Sequence, residues 1–104
     1  MVIERAALAH ATDMAANDFM GPKGSDGKTP EFRASAAGYH WLSIGQNVAA
    51  GQTRAAEVVN GWLASPRHCD TLMDPRYSET GIAFALNPHS EHGIYWAQAF
   101  GRPR

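Results

Sequence analysis

The sequence predicts an α+β fold with one small antiparallel sheet. Three observations carry this. Apolar residues recur at helical spacing, with cap and proline signals, before residue 74. The segments 81–86 and 94–100 instead alternate with a period of two. A polar loop, NPHSEHG, separates those two segments, which points to a hairpin. Helices beside an antiparallel sheet pack as layers around one core.

Residues 3–18 read as the first helix. Ile3, Ala7, Ala11 and Met14 fall at helical spacing, Ala6, Ala15 and Ala16 flank them, and no Gly or Pro interrupts. GPKGSDGK at 21–28 is a loop, and its glycines suit a tight turn better than a phosphate-binding loop. A short helix follows, with Thr29 as N-cap, Pro30 in the first position and Gly38 just past the end. WLSIGQNVAAG at 41–51 suits a short strand or extended edge. Thr53 then caps a third helix, 54–64, with Ala55, Val58, Val59, Trp62 and Leu63 as its apolar stripe. Ser65 and Pro66 repeat the cap-then-proline signal for a fourth helix, 66–73, which Asp74 and Pro75 end. In the last segments Ile82, Phe84 and Leu86 share one face and Ala83 and Ala85 the other. The alanine face lets a helix approach the sheet closely.

Length and charge bound the function. A chain of 104 residues is one domain, 1–104. Of its 46 apolar residues 18 are alanine, so the core is thin and Trp41, Trp62 and Trp96 carry much of it. A net charge of -1 leaves no basic footprint for nucleic acid. No apolar run approaches the roughly 20 residues of a membrane span, so no transmembrane segment is predicted. No signal peptide is visible at the N-terminus. The single cysteine, Cys69, reads as a small buried hydrophobe or as a thiol whose partner lies outside the chain.

Five histidines are the first candidates for chemistry. His89 and His92, with Glu91, fit a solvated loop better than a metal site. His10, within helix 1, reads as a surface or helix-capping residue. His68, in SPRHCD, stands near the start of the fourth helix, where the positive end of the dipole disfavours protonation. No serine–histidine–carboxylate set can be read from spacing, and the G-x-S-x-G elbow is absent.

The ordered segments AHATDMAANDF, GSDGKTPEFRASAAGY, IGQNVAAGQTRAAEVVNGWLASPRHCDTLMDPRYSETGIAFA and YWAQAFGRPR resemble a bacterial CAP/SCP domain. This is the superfamily of cysteine-rich secretory proteins, antigen 5 and pathogenesis-related proteins. The resemblance covers nearly the whole chain. It implies an α-β-α sandwich around a small central antiparallel sheet, in a secreted or periplasmic protein. It implies a cleft lined by two histidines and acidic residues, which in some members binds a divalent metal and in others sterols or lipids.

Three cleft positions can be carried over. The histidine of SPGH is kept as His68. The glutamate of GEN is Gln46, and the histidine before the GSDG turn is replaced in GPKGSDG by Pro22. An amide has lost the charge that a hard metal prefers, and proline has no side-chain ligand. One imidazole and one amide fall short of the three or four protein ligands usual for zinc.

The expectation is therefore a binding module with a degenerate cleft and no strong catalysis. The cleft candidates are His68, Gln46, Tyr95 and Gln98. No cofactor is expected, a divalent metal is disfavoured, and His68 is only a weak metal ligand. The ligand would be a small molecule, lipid or peptide. The alternative is a metal-assisted hydrolase of peptide or cell-wall substrates using His68. The family's usual earlier helical segment has no counterpart before Ile3, so the resemblance further implies N-terminal truncation, a Cys69 without its partner, and a homodimer that completes the core.

Overall fold

A computed structural model describes residues 2–104. Its elements are α1 (Val2–Asn17), α2 (Pro30–Ala36), β1 (Trp41–Ala50), α3 (Ala55–Ala64), α4 (Pro66–Leu72), β2 (Glu79–Leu86) and β3 (Ile94–Pro103). The strands form one antiparallel sheet in the order β1-β3-β2, so β3 is central and β1 is an edge. The hairpin of β2 and β3 is the one the period-2 segments predict. β2 starts two residues earlier than expected and β3 runs on to Pro103.

Helices cover both faces of the sheet. Ile3, Ala7, Ala11 and Met14 of α1 are buried against Tyr95, Ala97 and Ala99 of β3, with Tyr39 and Ala34 completing this core. On the other face Val58 and Trp62 of α3 pack against Ala49 and Trp96. Both buried tryptophans satisfy their indole N–H: Trp62 donates to Val48 O at 3.0 Å, and Trp96 donates to Gln52 O at 2.8 Å. Trp41 is half-buried, packs against the larger core and donates to Ser35 Oγ at 3.0 Å, so it contributes from the margin while the other two are buried.

The close approach of α1 has a visible cause. β2 presents Gly81, Ala83 and Ala85 to the helix, and a Cβ on Gly81 would lie 2.6 Å from the Glu4 backbone. Its large residues face the other way: Ile82, Phe84 and Leu86 are exposed, and Phe84 is covered only in part by Trp96 at a centroid distance of 5.1 Å.

The helix ends follow the cap signals in part. Thr29 Oγ1 accepts from Phe32 N, as expected of an N-cap followed by proline. The N-cap of α3 is Arg54 rather than Thr53, whose hydroxyl reaches the Glu57 side chain instead. Ser65 caps α4 without a side-chain hydrogen bond. Of the predicted α3 stripe, Val58 and Trp62 are buried and Val59 half-buried, while Ala55 and Leu63 are exposed. No helix among the described residues is long and apolar enough to cross a membrane.

Candidate functional site

Gln46 occupies the middle of β1, with its side chain on the α1–α2 side of the sheet. There it meets Arg33 of α2. Arg33 Nη2 donates to Gln46 Oε1 at 2.8 Å and to Pro22 O at 2.7 Å, and Nη1 donates to Lys28 O at 3.0 Å. Gln46 Nε2 also donates to Pro22 O, at 3.3 Å. Pro22 and Gln46, the two departures seen in the sequence, therefore meet at one guanidinium. The acceptor at position 22 is the main-chain carbonyl, which does not depend on the side chain there.

Arg33 is half-buried, and every acceptor it directly bonds is neutral. Burial lowers its pKa, opposed by the nearby carboxylates of Asp13 and Asp26. Asp13 is itself organised by the loop. Burial raises its pKa, but hydrogen bonds from the Ser25 hydroxyl (2.6 Å), the Ser25 amide (2.8 Å) and Asn17 (2.7 Å) outweigh this and hold it below the usual range. The GSDG turn is thus clamped to α1 through a carboxylate. Between these elements opens a cavity of about 620 Å³, lined by Asp13, Ser25, Phe32, Arg33 and Ala36 among others.

The sequence candidates do not converge. Asn47, next to Gln46, points to the other face and donates to His68 O at 3.1 Å. This places the backbone of α4 at His68 across the strand from Gln46. His68 is half-exposed, and its imidazole has no hydrogen-bond partner among the described residues. Tyr95 is fully buried in the α1-facing core, its hydroxyl donating to Asp18 Oδ1 at 2.9 Å. It lines no opening, and its place is structural. Gln98 lies on the opposite face and borders a separate cavity of about 230 Å³. None of the four lines the larger cavity.

His10 departs from its surface reading. It is fully buried, and its Nε2–H donates to Gly21 O at 2.6 Å, which leaves Nδ1 buried without a partner. Burial holds its pKa below the ordinary imidazole value. Cys69 is half-buried on α4 rather than a core residue. In the hairpin loop, His92 and Glu91 approach only to 3.9 Å. Among the described residues, no three His, Cys, Asp or Glu side chains converge at metal-binding distance.

The donor set around Gln46 does not fit a divalent cation. Its Oε1 already accepts from a guanidinium, so a metal there would face a fixed positive charge. Arg33 is the residue that sequence reasoning missed. The signal was present: Pro30, Arg33, Ala34 and Ala37 share one helical face, which is the inner face of α2. An arginine on an inner face requires acceptors.

The sequence profile of the cysteine-rich secretory protein family, CAP, matches residues 2–100. The chain is a member of the CAP family. An uncharacterized protein of Bacillus subtilis (strain 168), YkwD, is 24% identical to this CAP chain over 98 residues, which is 94% of the chain and 36% of YkwD. The CAP chain thus spans about a third of that relative's length. Among solved structures, an SCP-domain-containing extracellular protein from Bacillus anthracis str. Ames superposes with a TM-score of 0.85 at 20% identity, over 98% of this chain and 32% of its own. An outer surface protein from Borrelia burgdorferi gives 0.85 at 22% identity, over 99% and 74%. These two likenesses support the α+β fold seen in this chain.

Proposed function

We propose that this CAP domain is a binding module of an exported protein, with a cleft that no longer holds a metal or carries strong catalysis. The carrying observation is the Arg33 guanidinium seated between Pro22 O and Gln46 Oε1. It takes up the acceptors at the family's usual cleft positions, and an amide in place of a carboxylate is no general base. The cavity beside Arg33 offers charged groups of both signs over an apolar floor, which suits a small molecule or peptide with polar ends. Export is supported by the extracellular and outer-surface descriptions of the two structural relatives.

Two measurements test the proposal. Calorimetric titration with zinc, magnesium and calcium should give no saturable heat in the micromolar range. Micromolar binding that His68→Ala abolishes would overturn the metal-free reading. Turnover on a panel of peptides and cell-wall fragments should be equal for the parent and His68→Ala. A rate that falls in the variant would establish the hydrolase instead.

A further inference from the structure

β2 is an edge of the sheet and is bonded only to β3. Asn87 N donates to Gly93 O at 2.9 Å, which continues the β2–β3 register and shows that odd-numbered residues turn their amides toward β3. By alternation, the N–H and C=O groups of Thr80, Ile82, Phe84 and Leu86 point away from the sheet. Among the described residues nothing bonds them. The other edge is different. On β1, Ile44 O accepts from the Tyr77 hydroxyl at 3.2 Å, and Val48 O accepts from the Trp62 indole at 3.0 Å. Edge strands are ordinarily protected by lysine, proline or a bulge. The segment 80–86, TGIAFAL, has none of these, and its register with β3 is regular.

Apolar side chains flank this edge on both faces of the sheet. On the face away from α1, Ile82, Phe84 and Leu86 are 36%, 50% and 67% exposed. On the α1 side stands Leu8, 49% exposed. The helix runs along β2: Glu4 lies against Gly81, and Ala15 O accepts from Asn87 Nδ2 at 2.8 Å. Leu8 falls between these two points, level with Ala83. It occupies the flank of α1 away from Arg5, Ala9 and Asp13, which line the cavity beside α2.

We propose that β2 is the interface of a symmetric homodimer, in which two copies of the chain join edge to edge and continue one sheet through both. An antiparallel pairing centred on Ala83 is the register that gives every outward amide of 80–86 a partner. Thr80 then faces Leu86 of the partner subunit, and Ile82 faces Phe84 of the partner subunit. Opposed residues share a face, so the second pair makes an aromatic–branched contact. The same two-fold axis passes beside Leu8 and brings it to Leu8 of the partner subunit on the other face. An extended peptide would satisfy the edge but leave Leu8 uncovered, whereas a second copy covers both. No charge lies within 80–86, and a net charge of -1 per chain offers little repulsion. At half exposure a large apolar side chain leaves roughly 100 Å² uncovered, so Leu8, Ile82, Phe84, Leu86 and their symmetry mates supply about 800 Å² of apolar surface. The strand backbone and the flank of α1 add to this, which reaches the roughly 1,000–1,200 Å² that a specific interface needs. The interface stands on the strand edge and does not depend on the function proposed for the cleft.

Sedimentation equilibrium of the full chain, from about 1 µM to about 1 mM, reads the association. A monomer–dimer equilibrium with a micromolar Kd is expected. Phe84→Lys and Leu8→Lys act on opposite faces of the sheet, and each should weaken the dimer about tenfold or more, because it buries a charge without a partner. Leu42→Lys is the control: Leu42 is 56% exposed on the other edge strand, and its replacement should leave the dimer unchanged. Circular dichroism checks that each variant folds, and Ile82→Lys serves if Phe84→Lys does not. Amide exchange followed by NMR separates edge pairing from contact between faces. The Ile82 and Phe84 amides should exchange several-fold more slowly at high protein concentration than at low. A chain that stays monomeric to about 1 mM, a dimer indifferent to Phe84→Lys or Leu8→Lys, or a dimer whose Ile82 and Phe84 amides exchange as fast as the monomer's would each overturn the proposal.

Discussion

Replacing Gln46 by glutamate is the most direct probe of the cleft. Arg33 Nη2 donates to Gln46 Oε1 at 2.8 Å, a distance that suits a carboxylate oxygen, provided the second oxygen turns away from Pro22 O. A hydrogen bond between a charged donor and a charged acceptor is roughly twice as strong as a neutral one. Arg33 also bonds only neutral oxygens directly, so its charge is incompletely compensated. Against this stands the loss of the Gln46 Nε2 bond to Pro22 O, which is weak at 3.3 Å. The new pair should contribute about 1–2 kcal/mol and the lost bond cost about 0.5–1 kcal/mol. The net gain at pH 7 is then on the order of 1 kcal/mol, or about 4–8 °C in Tm for a domain of this size.

The pH dependence supplies the sign. The new carboxylate would titrate lower in the folded state than in the unfolded chain, because Arg33 favours its charged form. Its contribution is then complete above the unfolded value of about 4.3 and vanishes as pH falls through the folded value. Thermal melting of parent and Gln46→Glu at pH 7 and pH 3 reads this directly. A gain that is absent at pH 7, or equally large at pH 3, would refute the geometry. So would a gain that persists in the background of Arg33→Met.

Three other predictions follow from packing and burial. His10 has a folded pKa below its ordinary 6.5, so the unfolded chain binds more protons below that pH. Stability should therefore fall on acidification from about pH 6.5, with a slope no steeper than about 1.4 kcal/mol per pH unit. Urea titrations at stepped pH should show this slope flattened in His10→Gln. Gly81→Ala forces a methyl group against the Glu4 backbone and should cost about 1–3 kcal/mol in the same assay. Trp62→Ala empties the centre of the smaller core and breaks the bond to Val48 O; a loss of about 3–5 kcal/mol is expected, seen as a lowered urea midpoint.

Much of this fold is legible in the sequence because local signals and tertiary demand agree. The Ile3, Ala7, Ala11 and Met14 series lies at the centre of the larger core, and the alanines of β2 do admit α1. His10 stands three residues after Ala7 and four before Met14, on the same helical face, so its burial is legible from position although its polar side chain argues against it. The two faces of β2 are harder to rank. Bulk alone assigns Ile82, Phe84 and Leu86 to the interior, yet a helix seated on glycine and alanine turns them outward. Tyr95 and Gln98 could have been separated from sequence. An odd spacing on a strand places two side chains on opposite faces, and one cleft cannot take both from the sheet. Thr53 and Ser65 show the opposite limit: cap preference locates a helix start to within a residue, while the actual hydrogen bond depends on how the chain enters.

Arg33 also bears on the charge that the cleft accepts at position 46. A divalent ion bound to Gln46 Oε1 would stand within about 5 Å of the guanidinium, given that oxygen's 2.8 Å bond to Nη2 and ordinary metal–oxygen distances. At an effective dielectric constant near 20, the repulsion between charges of two and one at that separation is roughly 6–8 kcal/mol. A neutral amide offers little attraction to offset it. A guanidinium left facing a histidine and no carboxylate would also disfavour a protonated imidazole. The double variant Arg33→Met, Gln46→Glu should therefore bind zinc more tightly than either single variant, by more than the product of their separate effects. Calorimetry on the four proteins measures that coupling, and strictly additive behaviour would show that Arg33 does not set the charge preference of the cleft.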